Sequence, residues 1–283
     1  STVTVATTLN DTHNAWDYDS ANLTLEEDPD SEGSWERPPN VVLNHDFADL
    51  GAELVTNGGF DTDSDWTKQD GWTISGGQAH FSFTGTGNRN IYQSPTTSGK
   101  FYKLTFEITS FTQGSIRNVS TSVTDDTVFN TVGVHTQYYT ATGVNLYLKA
   151  AANTILSIDN VSVIQVDPND RWTTTAGSSV SDGKATVTGA SGTSLLYQSL
   201  LVEGTTYELV YTVSDYSLSS GATAVINNNG TAIQSISGNG TFTVIFTHAT
   251  ASGNLIFRAT SGTNSYKIDN ITVKEYAAMP LDV

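Results

Sequence analysis

The chain is predicted to be all-β, with two tandem antiparallel β-sandwich domains behind an extended N-terminal arm. Three observations carry this: an internal repeat, hydrophobic residues alternating with a period of two, and the lack of any comparable helical segment. Tyr92-Gln93-Ser94 returns as Tyr197-Gln198-Ser199, and Tyr102-Lys103-Leu104-Thr105-Phe106 returns as Tyr207-Glu208-Leu209-Val210-Tyr211, both displaced by 105 positions. Ile158-Asp159-Asn160-Val161-Ser162-Val163 returns as Ile268-Asp269-Asn270-Ile271-Thr272-Val273, displaced by 110. The second copy has therefore gained about five residues, placed in loops, where a duplicated sandwich tolerates them.

The matched segments are strands by their period. Tyr102, Leu104, Phe106 and Ile108 alternate with polar residues, as do Tyr207, Leu209, Tyr211 and Val213 in the second copy; this is the pattern of a half-buried antiparallel strand. Phe242, Val244 and Phe246 form another such run, and Leu146 and Leu148 flank Tyr147. Gly, Ser and Asn turns separate short strands, about seven to nine per copy, which suits a closed sandwich and is too long for a solenoid unit. At Asp159-Asn160 the inward parity set by Leu156 and Ile158 slips, so that Val161 and Val163 follow. The slip recurs at Asp269-Asn270, and a bulge is expected at both places.

The domain limits read as 1–50 for the arm, 51–166 for the first sandwich, 167–276 for the second and 277–283 for a tail. The arm holds Glu26-Glu27-Asp28-Pro29-Asp30, Pro38-Pro39 and isolated aromatics at Trp16, Tyr18 and Trp35. Spaced aromatics of this kind suit docking on a partner; the charge alone suits free disorder. Val41-Val42-Leu43-Asn44-His45-Asp46-Phe47 stutters the later Leu54-Val55-Thr56-Asn57-Gly58-Gly59-Phe60 at a distance of thirteen residues, and is expected to enter the first sandwich as an extra edge strand.

Composition excludes several classes. Twelve Lys and Arg against 29 Asp and Glu give a net charge of −17, which repels nucleic acid. Cysteine is absent, which removes disulfides and thiolate chemistry. No run approaches the roughly 18 apolar residues of a membrane helix, and Ser1 to Thr8 shows no basic region followed by an apolar one, so neither a membrane span nor a Sec-type leader is expected in this stretch.

The opening Glu53-Leu54-Val55-Thr56-Asn57-Gly58-Gly59-Phe60-Asp61 through Trp66, the run Gly71-Trp72-Thr73-Ile74-Ser75-Gly76-Gly77 and the closing Ile158 to Val163 resemble modules related to carbohydrate-binding families four and nine. The resemblance implies jelly-roll domains of a kind that recur in structural proteins of tailed phages. It covers residues 53–166 well and 172–275 less fully, because the second copy keeps Trp172, Tyr197-Gln198-Ser199 and Ile268-Asp269-Asn270 but lacks the Asn-Gly-x-Phe opening.

A sugar site needs an aromatic face for pyranose C–H groups and nearby amides or charges for hydroxyls. Trp66, Arg89, Asn90 and Tyr92 are the candidates, with Trp72 matched to Trp172 and read as core. The second copy, with few outward aromatics, reads as a spacer. Calcium needs hard oxygen ligands, and Asn57, Asp61 and Asp159 are the candidates for a structural ion of the kind related jelly rolls carry; turn hydrogen bonding is the competing role for such side chains. No catalytic constellation is visible: the five histidines, His13, His45, His80, His135 and His248, lack metal-ligand spacing, and a non-enzyme is expected. Two functions follow. One is a virion structural, decoration or fibre protein of a tailed phage, anchored to other virion proteins through its arm, with glycans and further copies of itself as additional partners. The alternative is an extracellular polysaccharide-binding tandem module of a larger glycan-degrading enzyme.

Overall fold

The computed structural model describes residues 38–120, 127–175, 177–189, 194–219, 224–228, 231–260 and 265–276, and every regular element in them is a β-strand. The acidic run at 26–30, Trp16, Tyr18, Trp35 and the 277–283 tail lie outside the described residues.

The first sandwich contains β1 (Leu50–Glu53), β2 (Thr67–Lys68), β3 (Trp72–Ser75), β4 (Gln78–Phe83), β5 (Arg89–Gln93), β6 (Phe101–Gln113), β7 (Ile116–Asn118), β8 (Gly133–Thr140), β9 (Leu146–Ala150) and β10 (Thr154–Val166). One sheet runs β3-β4-β10-β6-β8, with β1 also paired to β10, and the other runs β2-β5-β9-β7. The second sandwich contains β11 (Thr173–Thr174), β12 (Ser178–Ser181), β13 (Lys184–Thr188), β14 (Ser194–Ser199), β15 (Thr206–Ser217), β16 (Ala224–Asn228), β17 (Thr231–Ser235), β18 (Gly240–Thr247), β19 (Asn254–Ala259) and β20 (Ser265–Glu275). Its sheets, β12-β13-β20-β15-β18 and β11-β14-β19-β16-β17, repeat those of the first sandwich apart from β1 and add β17 at one edge.

The repeated residues serve repeated structural tasks. Tyr102, Leu104, Phe106 and Ile108 of β6 and Tyr207, Leu209, Tyr211 and Val213 of β15 are buried in their respective cores. The hydroxyl of Tyr102 accepts a hydrogen bond from the Thr97 amide at 2.8 Å, and that of Tyr207 accepts one from the Val202 amide at 2.9 Å. A buried phenol is thus satisfied by the loop that leads into its own strand.

The expected bulges are present. Between Asp159 and Ser162, β10 advances three residues while β6 advances two, and between Asp269 and Thr272, β20 does the same against β15. Asn160 and Asn270 adopt φ of 52° and 51°, a left-handed conformation that Asn tolerates better than most residues. Asp159 and Asp269 accept hydrogen bonds from the amides of these residues at 2.6 and 2.7 Å. The bulge restores inward parity for Val161 and Ile271, both buried.

Past each bulge the strand is met by an opening segment. In the first sandwich the Val161 amide donates to the Gly58 carbonyl at 2.9 Å and the Leu54 amide to the Val163 carbonyl at 3.0 Å. In the second, the Ile271 amide donates to the His45 carbonyl at 2.9 Å and the Val41 amide to the Val273 carbonyl at 2.9 Å. Residues 41–47 therefore do not enter the first sandwich. They open the second, where Val42 and Phe47 join its core. The Asn-x-x-Phe opening that copy two lacks in its contiguous sequence is Asn44 to Phe47, with Asn44 and Phe47 at φ of 50° and 53° against 54° and 51° for Asn57 and Phe60. Adjacency in sequence suggested the wrong sandwich, because thirteen residues separate the two openings and more than a hundred separate 41–47 from the rest of its own core. The second sandwich is discontinuous, and the first is inserted between its opening segment and its remaining strands.

The two sandwiches touch. Lys100 Nζ lies 2.5 Å from Asp170 Oδ2, and the Tyr138 hydroxyl donates to Asp182 Oδ1 at 3.3 Å. Tyr138, on the outer side of β8, packs against the second core, whereas its equivalent Ile245 on β18 is 48% exposed. Burial and, secondarily, the Asp182 carboxylate push the Tyr138 phenol above its ordinary pKa.

Two outcomes follow from this architecture. Phe47→Ala is expected to destabilise the second sandwich by about 3–5 kcal/mol, the usual range for a buried Phe, with a smaller shift in the transition of the first through the contacts between the two. Deleting residues 1–49 should have a larger effect in the same direction, whereas residues 51–166 alone should unfold as one cooperative unit, all read by denaturant titration with Trp fluorescence. The second outcome concerns alkali. Burial raises Tyr211 to about 12 and Tyr266 well above its usual value, so the unfolded chain releases protons from pH 10 upward while the folded chain retains them. Stability of the second sandwich is then full below pH 10 and falls as pH rises through 10 to 12. A flat melting temperature across that window would contradict it.

Candidate functional site

The outward side of the β2-β5-β9-β7 sheet is built by simple alternation. Ile91, Leu146, Leu148, Ala150 and Ile116 are buried on its inner side, so Asn90 and Tyr92 on β5, Tyr147 and Lys149 on β9, and Arg117 on β7 face outward. The register aligns them in two rows. Thr67 pairs with Tyr92 and Tyr92 with Tyr147; Asn90 pairs with Lys149 and Lys149 with Arg117.

The tyrosine rings stand 4.9 Å apart, tilted by 46°. The Tyr147 hydroxyl accepts from Asn145 Nδ2 at 2.7 Å, and the other end of that amide accepts from Ser94 Oγ at 2.6 Å. Both tyrosines are half-buried. A cleft of about 300 Å³ runs beside Tyr92, lined also by Leu54, Thr56, Asp65, Thr67 and Pro95. One wall of it is held by Gln93, whose side-chain amide donates to the Thr56 carbonyl at 2.5 Å and accepts from the Thr56 amide at 3.1 Å. Gln198 makes the same pair of bonds to Leu43, both at 2.9 Å. The repeated Gln is therefore a strand clamp.

Of the sequence candidates, Asn90 and Tyr92 share this face. Gln69 fixes the Asn90 backbone, its side chain accepting from the Asn90 amide at 2.8 Å, while Asn90 Oδ1 is buried with no hydrogen-bond partner. Arg89 points the other way and lies over the Phe83 ring at 4.3 Å. Trp66 offers no exposed ring: it is 6% exposed, packs on Phe60 at 5.2 Å and donates through Nε1 to the Asn57 carbonyl at 2.9 Å. Trp172 repeats this arrangement with Phe47 at 5.1 Å and the Asn44 carbonyl at 2.9 Å, so its counterpart is Trp66 and not Trp72. Trp72 is core as expected, and the register of β3 and β12 sets it opposite Ser178 of the second copy. Tyr147 and Lys149 were missed. Their signal was the alternation of Leu146 and Leu148, which sends the intervening and following residues outward.

Two of the calcium candidates, Asn57 and Asp159, hydrogen-bond turn backbone. Asn57 donates to the Thr62 and Ser64 carbonyls at 2.7 and 3.1 Å, Asp159 binds its neighbour's amide, and Asp61 is exposed. Among the described residues no three His, Asp or Glu side chains are grouped to hold a metal. Among the described residues there is one Ser–His contact: Ser157 Oγ lies 2.8 Å from His80 Nδ1 and accepts from Ser110 Oγ at 2.9 Å. The three are cross-strand neighbours on the outer face of the first sandwich, and the equivalent row in the second is Thr186, Lys267 and Ser214. With a lysine in the place of Ser157, the row reads as a ladder bracing the sheet.

No protein-family model and no curated protein matches this chain. Among solved structures it is similar to the N-terminal CBM22-1–CBM22-2 tandem domain of Paenibacillus barcinonensis Xyn10C, at 11% identity and a TM-score of 0.30 over 80% of this chain and 98% of that one. It is also similar to the secreted serine protease VesC of Vibrio cholerae, at 11% identity and a TM-score of 0.30 over 68% of this chain and 48% of that one.

The burial of Trp66 yields a direct check. Trp66→Ala is expected to cost the first sandwich about 3–5 kcal/mol of stability, measured by denaturant titration. A variant as stable as the parent would mean that the ring lies outside the core.

Proposed function

We propose that the chain is a non-catalytic glycan-binding protein whose first sandwich binds polysaccharide on the Tyr92–Tyr147 face and whose second sandwich acts as a spacer. The observation that carries this is the pair of outward, half-buried tyrosines in register on adjacent strands, bordered by amide, hydroxyl and charged side chains. Such rings offer flat C–H-binding surface at low entropic cost, and the surrounding polar groups supply hydroxyl partners. The second sandwich has Tyr197 at the place of Tyr92 but Ile256 at that of Tyr147 and Leu195 at that of Asn90. This favours an extracellular polysaccharide-binding module over a virion decoration protein. Residues 40–47, part of the arm to which the virion reading gives the anchoring role, belong to a sandwich.

A glycan array followed by calorimetry on the full chain tests the assignment. Tyr147→Ala and Tyr92→Ala are each expected to weaken binding by about 2- to 10-fold, the equivalent of roughly 0.5–1.5 kcal/mol per aromatic contact, with melting of both sandwiches little changed. Binding that survives both substitutions, or that maps to the second sandwich, would refute the site.

A further inference from the structure

The second outward row of the same face is positively charged in a strongly acidic protein. Lys149 stands at its centre between Asn90 and Arg117. Lys149 takes part in no ion pair among the described residues, unlike Lys68 with Asp63, Lys100 with Asp170 and Lys267 with Asp215. Arg117 adds a second positive charge one strand further on.

The overall charge does not cancel this local one. Residues 1–50 hold 11 Asp and Glu against a single Arg, 1 − 11 = −10, whereas residues 51–166 hold 9 against 6 Lys and Arg, 6 − 9 = −3. Most of the −17 thus belongs to the N-terminal part and the second sandwich. In 0.15 M salt, charges beyond about 8 Å are largely screened, so an anion at the face responds mainly to Lys149, Arg117 being already engaged within the protein.

Spacing sets the kind of anion. Residues two apart on one strand lie about 7 Å apart on the same face, so the Lys149 ammonium reaches the edge of a ring stacked on Tyr147. An acidic substituent carried directly on a pyranose ring would meet it, and a neutral hydroxymethyl group would leave it without a counter-charge. On the other side of the tyrosine row, Asp65 in the cleft is a hydroxyl acceptor and disfavours a second carboxylate there, which gives the bound chain a direction.

We propose that this face recognises an acidic glycan, one bearing uronic-acid carboxylates, with Lys149 as the carboxylate partner and the tyrosine pair as the stacking surface. The inference rests on the glycan-binding reading above and specifies its ligand class. The test is calorimetric titration of the full chain with oligogalacturonate and oligoglucuronate, and with neutral xylo- and gluco-oligosaccharides of equal length, at low and at 0.5 M salt. The expected result is tighter binding of the uronic oligomers, weakened several-fold by high salt and by Lys149→Gln. The same substitution should weaken the uronic oligomers more than the neutral ones, and Tyr147→Ala should weaken both. Neutral oligomers bound as tightly as acidic ones, with Lys149→Gln without effect, would overturn the acidic preference and retain the glycan site. Absence of binding to every oligomer would overturn both.

Discussion

The backbone amide that follows each bulge is the group on which the closure of each sandwich depends. In a regular ladder the amides of the last strand point alternately at its two neighbours; the extra residue at Asn160 or Asn270 breaks that alternation and leaves the next amide, that of Val161 or Ile271, facing a place where no sheet strand runs. Both residues are buried, and a buried amide without an acceptor costs roughly 1–3 kcal/mol. The opening segments supply the acceptor through Gly58 and His45. The same turn brings Phe60 or Phe47 against Trp66 or Trp172 and offers each indole a carbonyl. Bulge, turn and tryptophan therefore form one mutually dependent set, present twice.

The insertion of one sandwich into the other follows from where the second set finds its opening. Residues 41–47 must be returned to a core whose other strands begin past residue 166, and β1 and β10 of the first sandwich do this by pairing Leu50 with Val166. The bond from the Asp167 amide to the Asp49 carbonyl at 3.0 Å continues the pairing to the boundary, and Asn44 Nδ2 donates to Asp167 Oδ1 at 2.9 Å just beyond it. A folded first sandwich thus presents both parts of the second side by side. Were the first unfolded, the same contact would require closing a loop of more than a hundred residues, at an entropic cost on the order of 4 kcal/mol. Stability of the second sandwich is coupled to the first through this connection, beyond the contacts at Tyr138 and Lys100.

Much of this was legible in the sequence, and the limits have physical reasons. Period-two alternation is a local signal, so the strands around Tyr102 and Tyr207 and the parity slip at Asp159-Asn160 could be read directly. The likeness of Val41–Phe47 to Leu54–Phe60 was visible too, but which core a seven-residue segment joins is decided by hydrogen bonds to residues far along the chain, and spacing does not report these. The sequence pairs Trp172 with Trp72; the indole hydrogen bond to an opening carbonyl, which makes it the counterpart of Trp66, exists only once the opening segment is placed. The site was half legible for the same reason. Asn90 and Tyr92 lie in the repeated motif, whereas Tyr147 and Lys149 come to them from a strand more than fifty residues later, through register alone.

The two copies differ most where the fold demands least. On the inner side of the equivalent sheets Ile91, Leu148 and Ile116 correspond to Leu196, Phe257 and Ala224, all buried and apolar. On the outer side Tyr147 becomes Ile256, Asn90 becomes Leu195 and Arg117 becomes Val225, while β17 extends the second sheet past the edge at which the first ends in β7. An outward position has no core to fill, so its side chain is set by solvent, by a neighbouring element or by a ligand. In the second sandwich Tyr197 and, at the place of Lys149, Arg258 remain, while the other three outward positions have turned apolar and the sheet edge has been lengthened, which suits structural use. In the first, the corresponding positions hold two aromatics, an amide and two cations at half-buried sites, where long polar side chains lose rotamer freedom without any gain in packing. Tyr147 and Arg117 have partners within the fold; for Lys149, which takes part in no ion pair among the described residues, contact with a ligand is what would offset that cost.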